Sequence, residues 1–383
     1  MPKHPNLSPS VLGVGSAVFS KLAHKISSLE GEVFPLHVGD TYMEPCVGSR
    51  MEDLSVTEHP GMHRYVSPQG IKPLIDCIYD KVESFNGLTV EKGSVLVSAG
   101  ATGALAAGIG AVTSPGDEVL ILAPFWPLIR GIVSTLRATP VEVPFYDRVQ
   151  SVTDVVDAIS DRITNKTVAI YVSTPSNPTG VVLPEQWLQA IAELARERGL
   201  WVFSDEVYER YVFEGEPCSI GRFAPERTLT AFSFSKTYGM AGNRCGYLVG
   251  PPDIITQCRK VSTHTVYAAP TASQWAALKA LQTGEDWVNK ASALYKSAGY
   301  EAADMLGLPR PQGSTFLFLD VSHKLDERGV FGFLEDCLDD GLILAPGPSF
   351  GTGYEEFVRI CFTAAPNEVV QRAVGLLRRR LLG

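Results

Sequence analysis

The sequence predicts an α/β protein with a mostly parallel sheet covered by helices on both faces, followed by a smaller α+β region. Three observations support this prediction. Short, continuous apolar runs alternate with helix-like segments from about residue 88 to residue 250, which is typical of parallel strands buried on both faces. Polar or aromatic residues directly follow several of these runs, and longer helical segments begin after about residue 275.

The individual elements are predicted from apolar periodicity and from turn residues. Residues 1–30 predict an arm with a short helix, Val33–Asp40 a short strand, and Ile71–Val82 a helix. The predicted strands of the main sheet are Ser94–Ser98, Glu118–Leu122, Val168–Val172, Trp201–Ser204, Thr228–Phe232 and Cys245–Gly250. Helices are predicted after Gly100 and over Glu185–Arg198. The C-terminal region predicts the helices Trp275–Leu281, Trp287–Met305, Val330–Leu338 and 367–381, with strands over Ser314–Asp320 and Phe357–Phe362.

Composition and charge narrow the class of protein. The chain has 383 residues, 45% of them hydrophobic, and a formal net charge of −9. This charge argues against nucleic acid as a partner, because a protein that binds the phosphate backbone needs a basic face. The seven cysteines are scattered and form no C-x-x-C pair, so we expect a reducing compartment, the cytoplasm, and no structural zinc. The sequence has no signal-peptide pattern and no apolar run long enough to cross a membrane.

His59 and His63 have the spacing of a metal-binding pair on a helix. Pro60-Gly61 lies between them, and this dipeptide interrupts any helix. We therefore expect two loop histidines and no metal.

Five predicted strands are each followed by a residue or turn that is suited to bind a ligand. These are the Gly-rich turn Gly100–Gly103, Trp126, Asn177, Asp205 and Lys236. In open α/β sheets, ligands bind in a crevice outside the carboxyl ends of the strands. We therefore expect these side chains to meet in one site, with Lys236 in a loop after Thr228–Phe232.

A lysine, a buried acid, an amide and an aromatic side chain together suit pyridoxal phosphate (PLP), which binds as a Schiff base with an acidic partner at its ring nitrogen. Lys236 supplies the amine, and Asp205 would hold the ring nitrogen protonated. Asn177 and Tyr208 would hydrogen-bond the phenolic oxygen of the ring, and Trp126 would stack on its face. We take Lys236, Asp205 and Tyr208 as the catalytic set.

The same region offers a phosphate site. Ala101 and Thr102 lie at a strand-to-helix turn, where backbone N–H groups and the helix dipole favour an anion. Ser233, Ser235 and Arg244 would complete the site with hydroxyl and guanidinium donors.

Four segments match the motifs of one family. They are Asn177-Pro178-Thr179-Gly180, Asp205-Glu206-Val207-Tyr208, Ser233-Phe234-Ser235-Lys236 with Arg244 eight residues on, and Phe357-Val358-Arg359-Ile360. In these segments and in their order, the chain resembles the class I/II, fold-type I, PLP-dependent aminotransferases of the aspartate aminotransferase superfamily. The matching residues run from Gly39 to Arg359.

The resemblance implies several residue roles. Lys236 would carry the cofactor as a Schiff base and then act as general base and acid. Arg359 would bind the substrate α-carboxylate, helped by the Gly39 N–H and by Asn177. Tyr65 matches a tyrosine that reaches the phosphate of the neighbouring subunit, which implies a homodimer with shared active sites.

The resemblance also implies a division into domains. Residues 1–40 would form an N-terminal arm and part of the small domain, and residues 41–275 the large PLP-binding domain with a mostly parallel seven-stranded sheet. Residues 276–383 would form the remainder of the small domain.

The reaction type stays open at this point. Transfer of an amino group between an L-amino acid and a 2-oxo acid leads, but elimination, replacement, decarboxylation or cyclisation uses the same lysine, acid and phosphate site. Asn243 and Asp40-Thr41-Tyr42 depart from the family pattern near the substrate entrance, so the side-chain preference is open too. Arg130, His264 and Tyr267 are candidates for substrate contact or for ordinary structural positions.

Overall fold

The structure is a computed structural model that describes residues 6–15 and 22–382. Its larger sheet has seven strands in the order β1-β7-β6-β5-β4-β2-β3. The strands are β1 (Val95–Ser98), β2 (Glu118–Ala123), β3 (Thr139–Pro144), β4 (Thr167–Ser173), β5 (Trp201–Asp205), β6 (Thr228–Ser233) and β7 (Gly246–Val249). β7 runs antiparallel to both neighbours and the other pairs are parallel. The predicted mostly parallel seven-stranded sheet is confirmed.

Thirteen α-helices lie within the described ranges. They are α1 (Pro9–Leu12), α2 (Ala23–Ser27), α3 (Lys72–Ser84), α4 (Gly100–Val112), α5 (Pro127–Thr135), α6 (Val152–Ser160), α7 (Glu185–Arg198), α8 (Phe234–Thr237), α9 (Pro252–Thr265), α10 (Thr271–Thr283), α11 (Glu285–Leu306), α12 (Gly329–Asp339) and α13 (Asn367–Leu382). None of the helices in these ranges combines the length and apolarity that a membrane span needs.

Alternate residues of each strand pack on opposite faces of the sheet. In β2, Val119 and Ile121 pack with α4, α5 and α9, whereas Leu120 and Leu122 pack with α6 and α7. Near the other end of the sheet, α3 and α10 cover this second face. Both faces are therefore buried, which explains why the strand sequences read as continuous apolar runs.

β3 was not predicted, and its sequence explains why. It is an edge strand that contains Pro140 and Pro144, and its residues are mostly exposed or half-buried. Proline lacks the N–H that a central strand needs, so it is confined to positions such as this edge.

A second, three-stranded antiparallel sheet has the order β8-β10-β9, formed by β8 (Phe316–Asp320), β9 (Ala345–Pro346) and β10 (Phe357–Cys361). Buried residues of α11, α12 and α13 pack on this sheet. The segment 22–36 adds Leu22, Phe34 and Leu36 to the same core. α10 crosses residue 275 and packs against α3, and the division at residues 40 and 275 stays a prediction.

Two local predictions were wrong. Val33–Asp40 is not a strand but a single bridge from Phe34 to Leu342 followed by turns, because Pro35 has no N–H to continue the ladder. Lys236 is not in an irregular loop, because α8 begins directly after β6. The Ser233 hydroxyl caps α8 by accepting the Ser235 N–H at 3.1 Å.

Candidate active site

A cavity of about 330 Å³ lies at the carboxyl ends of the parallel strands. It brings together the predicted site residues Gly39, Ala101, Thr102, Trp126, Asn177, Asp205, Tyr208, Ser233, Ser235, Lys236, Arg244 and Arg359. β2, β4, β5 and β6 run in the same direction because each pairs in parallel with the next. β1 shares this direction because β7 is antiparallel to both β1 and β6. The residues that follow these five strands therefore reach one crevice.

Lys236 extends from α8 into the cavity. Its Nζ donates to the carbonyl oxygen of Gly39 and lies 3.9 Å from Asp40 Oδ1. Burial lowers the pKa of Lys236, and the Asp40 carboxylate opposes this shift. Burial therefore enlarges the neutral, nucleophilic fraction of this amine.

Asp205 ends β5 and is only 4% exposed. Its Oδ2 accepts a hydrogen bond from the Tyr171 hydroxyl at 2.6 Å, whereas its Oδ1 is buried and accepts none from the described residues. Burial raises the pKa of Asp205 to about 6, and the Tyr171 hydrogen bond opposes this rise. A buried acceptor without a partner is costly, so Oδ1 suits a charged N–H donor of a ligand in the cavity.

Tyr208 and Asn177 lie on the wall near Asp205. Tyr208 is 3% exposed and packs edge-on against Phe316, with ring centroids 5.6 Å apart. Burial raises the pKa of Tyr208, so its hydroxyl stays protonated and can donate. Asn177 accepts from Arg359 through Oδ1, and its Nδ2 donates to no group in the described residues. Both side chains can therefore donate to an oxygen of a ligand.

The N-terminus of α4 forms one end of the cavity together with Arg244. Arg244 Nη1 donates to Ala241 O at 2.9 Å, and the guanidinium makes no ion pair within the described residues. Gly100 has a φ of +72°, and a Cβ there would lie 2.5 Å from Arg244 Nη2. Glycine is thus required both for the backbone conformation and for the close approach of the guanidinium. Free helix N–H groups, two serine hydroxyls and an unpaired guanidinium form an anion site.

Arg359 on β10 lies at another part of the wall and is 6% exposed. Its Nη1 donates to Asn177 Oδ1 at 2.8 Å and its Nη2 to His37 O at 2.7 Å. The guanidinium carbon lies 4.1 Å from the ring centroid of Phe316, and no carboxylate pairs with it within residues 6–15 and 22–382. A buried cation without a counterion suits a carboxylate ligand.

Some lining residues were missed by the sequence analysis. They are His37, Val38, Pro127, Leu128, Val207, Ala241, Ala345 and Phe350. Several of them are neighbours in sequence of residues that were predicted, and that adjacency was an available signal. Phe350 had no local signal, because it reaches the cavity from the end of a 3-10 helix, Gly347–Phe350, that lies between β9 and β10.

The candidates for a cofactor or substrate contact that lie outside this cavity are Tyr65, Tyr267, Arg130 and His264. Tyr65 is 87% exposed, and its ring centroid is 4.8 Å from that of Tyr267 on a separate surface. Arg130 pairs with Glu142 at 3.1 Å, and His264 bonds to Lys260 O on the exposed side of α9. His59 and His63 lie in turns, as predicted, and His59 stacks on Trp275.

Pyridoxal phosphate fits the residues that are present. The unpartnered Asp205 Oδ1 matches a protonated ring nitrogen, the anion site at α4 matches a phosphate, and the Lys236 amine projects into the same cavity. When bound, this cofactor supplies an aldehyde that bonds to amines and a ring that withdraws electrons from the substrate Cα. The fold and this site define a fold-type I, PLP-dependent enzyme.

Comparisons with known proteins specify the family. Residues 32–377 match the family described as aminotransferase class I and II, and the chain belongs to this family. It is 34% identical over 298 residues to the aspartate/prephenate aminotransferase of Thermus thermophilus, covering 76% of this chain and 77% of that protein. It is 32% identical over 346 residues to a Petunia hybrida bifunctional aspartate aminotransferase and glutamate/aspartate-prephenate aminotransferase, covering 84% of this chain and 71% of that protein.

Solved structures agree with this assignment. A single mutant of Thermus thermophilus aspartate aminotransferase superposes with a TM-score of 0.88 at 28% identity, covering 98% of this chain and 100% of that one. A tetra mutant of the same enzyme in complex with tryptophan gives 0.89 at 29% identity, with the same coverage. Each of these relatives is an aminotransferase and none is a lyase. The chain is therefore a PLP-dependent aminotransferase that acts on an amino acid and a 2-oxo acid.

Proposed function

We propose that the catalytic and binding roles of this aminotransferase are divided among the residues of the cavity described above. The observation that carries the proposal is that one cavity holds three matching groups: the Lys236 amine, the unpartnered Asp205 oxygen and the Arg359 guanidinium without a counterion. Lys236 would attach the cofactor, take the proton from the substrate Cα as general base and deliver it, as general acid, to the cofactor carbon that carried the aldehyde. Asp205 holds negative charge at the ring nitrogen, and Arg359 with the Gly39 N–H orients the α-carboxylate of an L-amino acid.

The remaining cofactor contacts follow from the same cavity. Tyr208 and Asn177 donate to the phenolic oxygen of the cofactor, and Trp126 covers the ring. The phosphate is held by the backbone N–H groups of Ala101 and Thr102, the hydroxyls of Ser233 and Ser235, and the guanidinium of Arg244. The N–H groups at the start of α4, which no side chain of the described residues caps, support this assignment.

Borohydride reduction of the holoenzyme followed by peptide mass analysis tests the lysine. We expect the reduced cofactor on the peptide that contains Lys236, and single amino acids should bleach the visible band before reduction. Lys236→Ala should lose the covalent label and lower turnover by about a thousandfold or more. Lys72→Ala, on the exposed face of α3, is the matched control and should keep both the covalent label on Lys236 and normal turnover. Normal turnover in Lys236→Ala would contradict the proposal.

We propose that two copies of the chain form a homodimer in which Tyr65 reaches the phosphate of the other subunit. The exposure of Tyr65 supports this, together with the adjacent half-exposed Val266 and Tyr267, which leave an apolar surface beside it. Mixing Lys236→Ala subunits with Tyr65→Ala subunits tests the sharing, because a mixed dimer would contain one site with both residues intact. Recovery of activity is expected, whereas a strictly monomeric, fully active enzyme in sedimentation would rule out this role.

We also propose a cytoplasmic location and the domain division of residues 1–40, 41–275 and 276–383. The seven cysteines are all free thiols, which supports a reducing compartment. The separate hydrophobic core around the three-stranded sheet supports a small domain built from both ends of the chain. Fractionation of the source cells tests the location, and limited proteolysis near residues 40 and 275 tests the boundaries.

A further inference from the structure

The part of the cavity wall that neither the cofactor nor the α-carboxylate uses is apolar. After the residues assigned above and His37 are set aside, the lining residues that remain are Val38, Pro127, Leu128, Val207, Ala241, Ala345 and Phe350. Leu128 is 52% exposed and Val38 46%, whereas Phe350 is 1% exposed. As far as the described residues show, the wall left for the substrate side chain therefore carries no charged side chain and no strong side-chain hydrogen-bond donor.

Four basic side chains of the described residues line the cavity, and each either has a proposed role with the cofactor or α-carboxylate or is neutral. Lys236 holds the cofactor, Arg244 lies at the phosphate end, and Arg359 is needed for the α-carboxylate. His37 is the fourth, and burial together with the nearby Arg359 lowers its pKa to about 4, so it carries no charge near neutral pH. Within the described residues, the cavity wall thus has no further cation for a second carboxylate.

Among residues 6–15 and 22–382, the surroundings of the cavity do not supply the missing positive charge. Arg130, on the helix that carries Leu128, is held by Glu142 and does not line the cavity. The carboxylate that lies 3.9 Å from Lys236 is Asp40, which adds negative charge near the reacting amine. A carboxylate placed against this wall would lose hydration without gaining a cationic partner from the described residues of its own subunit.

We propose that the side-chain subsite of this enzyme selects uncharged, apolar amino acids over the dicarboxylic amino acids aspartate and glutamate. The inference rests on the proposed function, since it takes the α-carboxylate to bind at Arg359. It distinguishes this chain from the relatives that are named for aspartate. An apolar wall favours an apolar side chain through burial, and the absence of a counterion penalises a charged one.

Leucine and aspartate are matched probes, because the isobutyl and carboxymethyl side chains branch at the same atom and have similar shapes. The holoenzyme is mixed with each amino acid, and the bleaching of the cofactor band gives kcat/KM of the half-reaction. We expect leucine to exceed aspartate by about tenfold or more. Aspartate equal to or better than leucine would overturn the inference while leaving the proposed function intact.

A binding measurement separates recognition from chemistry. Isocaproate and succinate are the unreactive counterparts of leucine and aspartate, and calorimetry on the holoenzyme gives the Kd of each. Isocaproate should bind at least about tenfold more tightly, and tighter binding of succinate would overturn the inference. If no amino acid changes the cofactor band, the proposed function fails, and calorimetry still decides the preference.

A pair of variants tests the wall itself. Leu128→Arg places a cation at the exposed rim of the cavity. It should lower the ratio of kcat/KM for leucine to kcat/KM for aspartate, or bring it below one. Leu128→Gln makes the same position polar without adding charge, so it should lower kcat/KM for leucine without raising it for aspartate. Equal stoichiometry of bound cofactor in both variants verifies that they fold. An unchanged ratio in Leu128→Arg would show that the substrate side chain does not meet this wall.

Discussion

Arg359 donates to the side-chain oxygen of Asn177 at 2.8 Å and has no carboxylate beside it in the described part of the chain. The guanidinium is thus oriented by a neutral acceptor and retains its charge for a ligand. A neutral partner fixes the geometry of the arginine without competing with the substrate for its charge.

Asn177→Asp should therefore inhibit the enzyme by pairing with Arg359 internally. The new carboxylate competes with the substrate α-carboxylate, so we expect KM for amino acids to rise by about tenfold or more. Asn177→Ala is the control, because it also removes the Nδ2 donor but adds no charge. Steady-state kinetics on both variants separates the two effects, and equal KM values would contradict the argument.

The hydrogen bond from Tyr171 to Asp205 predicts a change in pH dependence. In the role proposed for Asp205, activity needs its ionised carboxylate, so activity should fall as pH falls through the pKa of Asp205. The Tyr171 hydroxyl lowers this pKa against the effect of burial. Tyr171→Phe removes that hydrogen bond and should move the acidic limb of kcat/KM upward by about one pH unit or more.

Tyr146→Phe is the matched control for this experiment. Tyr146 is also buried, but its hydroxyl donates to Ser173 O at 2.6 Å and not to Asp205. The acidic limb of kcat/KM in the Tyr146→Phe variant should stay near that of the unmodified enzyme. A uniformly lower rate in Tyr171→Phe, with the limb unmoved, would show that the hydrogen bond does not tune Asp205.

Gly100→Ala should lower the affinity for the cofactor, because the added Cβ displaces the Arg244 guanidinium. The added Cβ would lie 2.5 Å from Arg244 Nη2, and the φ of +72° is unfavourable for alanine. Gly199→Ala shares the strain, at a φ of +70°, but meets no atom within 4 Å. We expect both variants to lose about 1 kcal/mol of stability, whereas the Kd for PLP should rise by about tenfold or more in Gly100→Ala alone. Equal PLP affinities by equilibrium titration would contradict the steric argument.

Most of the cofactor end of the site could be predicted from sequence because its residues directly follow apolar strands. Asp205 and Lys236 adjoin β5 and β6, so their position follows from the direction of those strands. Phe350 and His37 could not be found in this way. His37 is held by a hydrogen bond from Arg359 on β10, and Phe350 packs against Phe318 on β8. These contacts join residues far apart in sequence, so they leave no local pattern.

The errors in the predicted secondary structure are explained by proline positions and by an N-cap residue. The pattern of Val33–Asp40 is apolar enough for a strand, but it forms a single bridge because Pro35 interrupts the ladder. β3 is stabilised by its parallel pairing with β2 despite two prolines. Ser233 indicated the start of α8 in the sequence, since serine is a preferred N-cap residue.

Glu206 gives a prediction about stability that is independent of substrate. It is 2% exposed, and its Oε1 accepts from the hydroxyls of Ser204 at 2.7 Å and Ser219 at 2.8 Å. Burial raises the pKa of Glu206 to about 8, above the value of 4.5 expected for an unfolded chain. The stability that this shift provides is therefore present below the unfolded pKa and is lost as pH rises through the folded one.

Glu206→Gln keeps an oxygen acceptor for both serines and removes the titration. Its free energy of unfolding should match that of the unmodified protein near about pH 4, below the unfolded pKa, and exceed it near about pH 8.5 by on the order of 4 kcal/mol. Urea denaturation at the two pH values measures the difference. Asp304→Asn should change stability in the opposite direction. The hydrogen bond from Arg310 lowers the pKa of this exposed carboxyl, so removing the charge should reduce the free energy of unfolding slightly near neutral pH. A Glu206→Gln variant less stable at the higher pH would mean that the buried carboxylate is stabilised there as an anion, through Lys81 or the two serines.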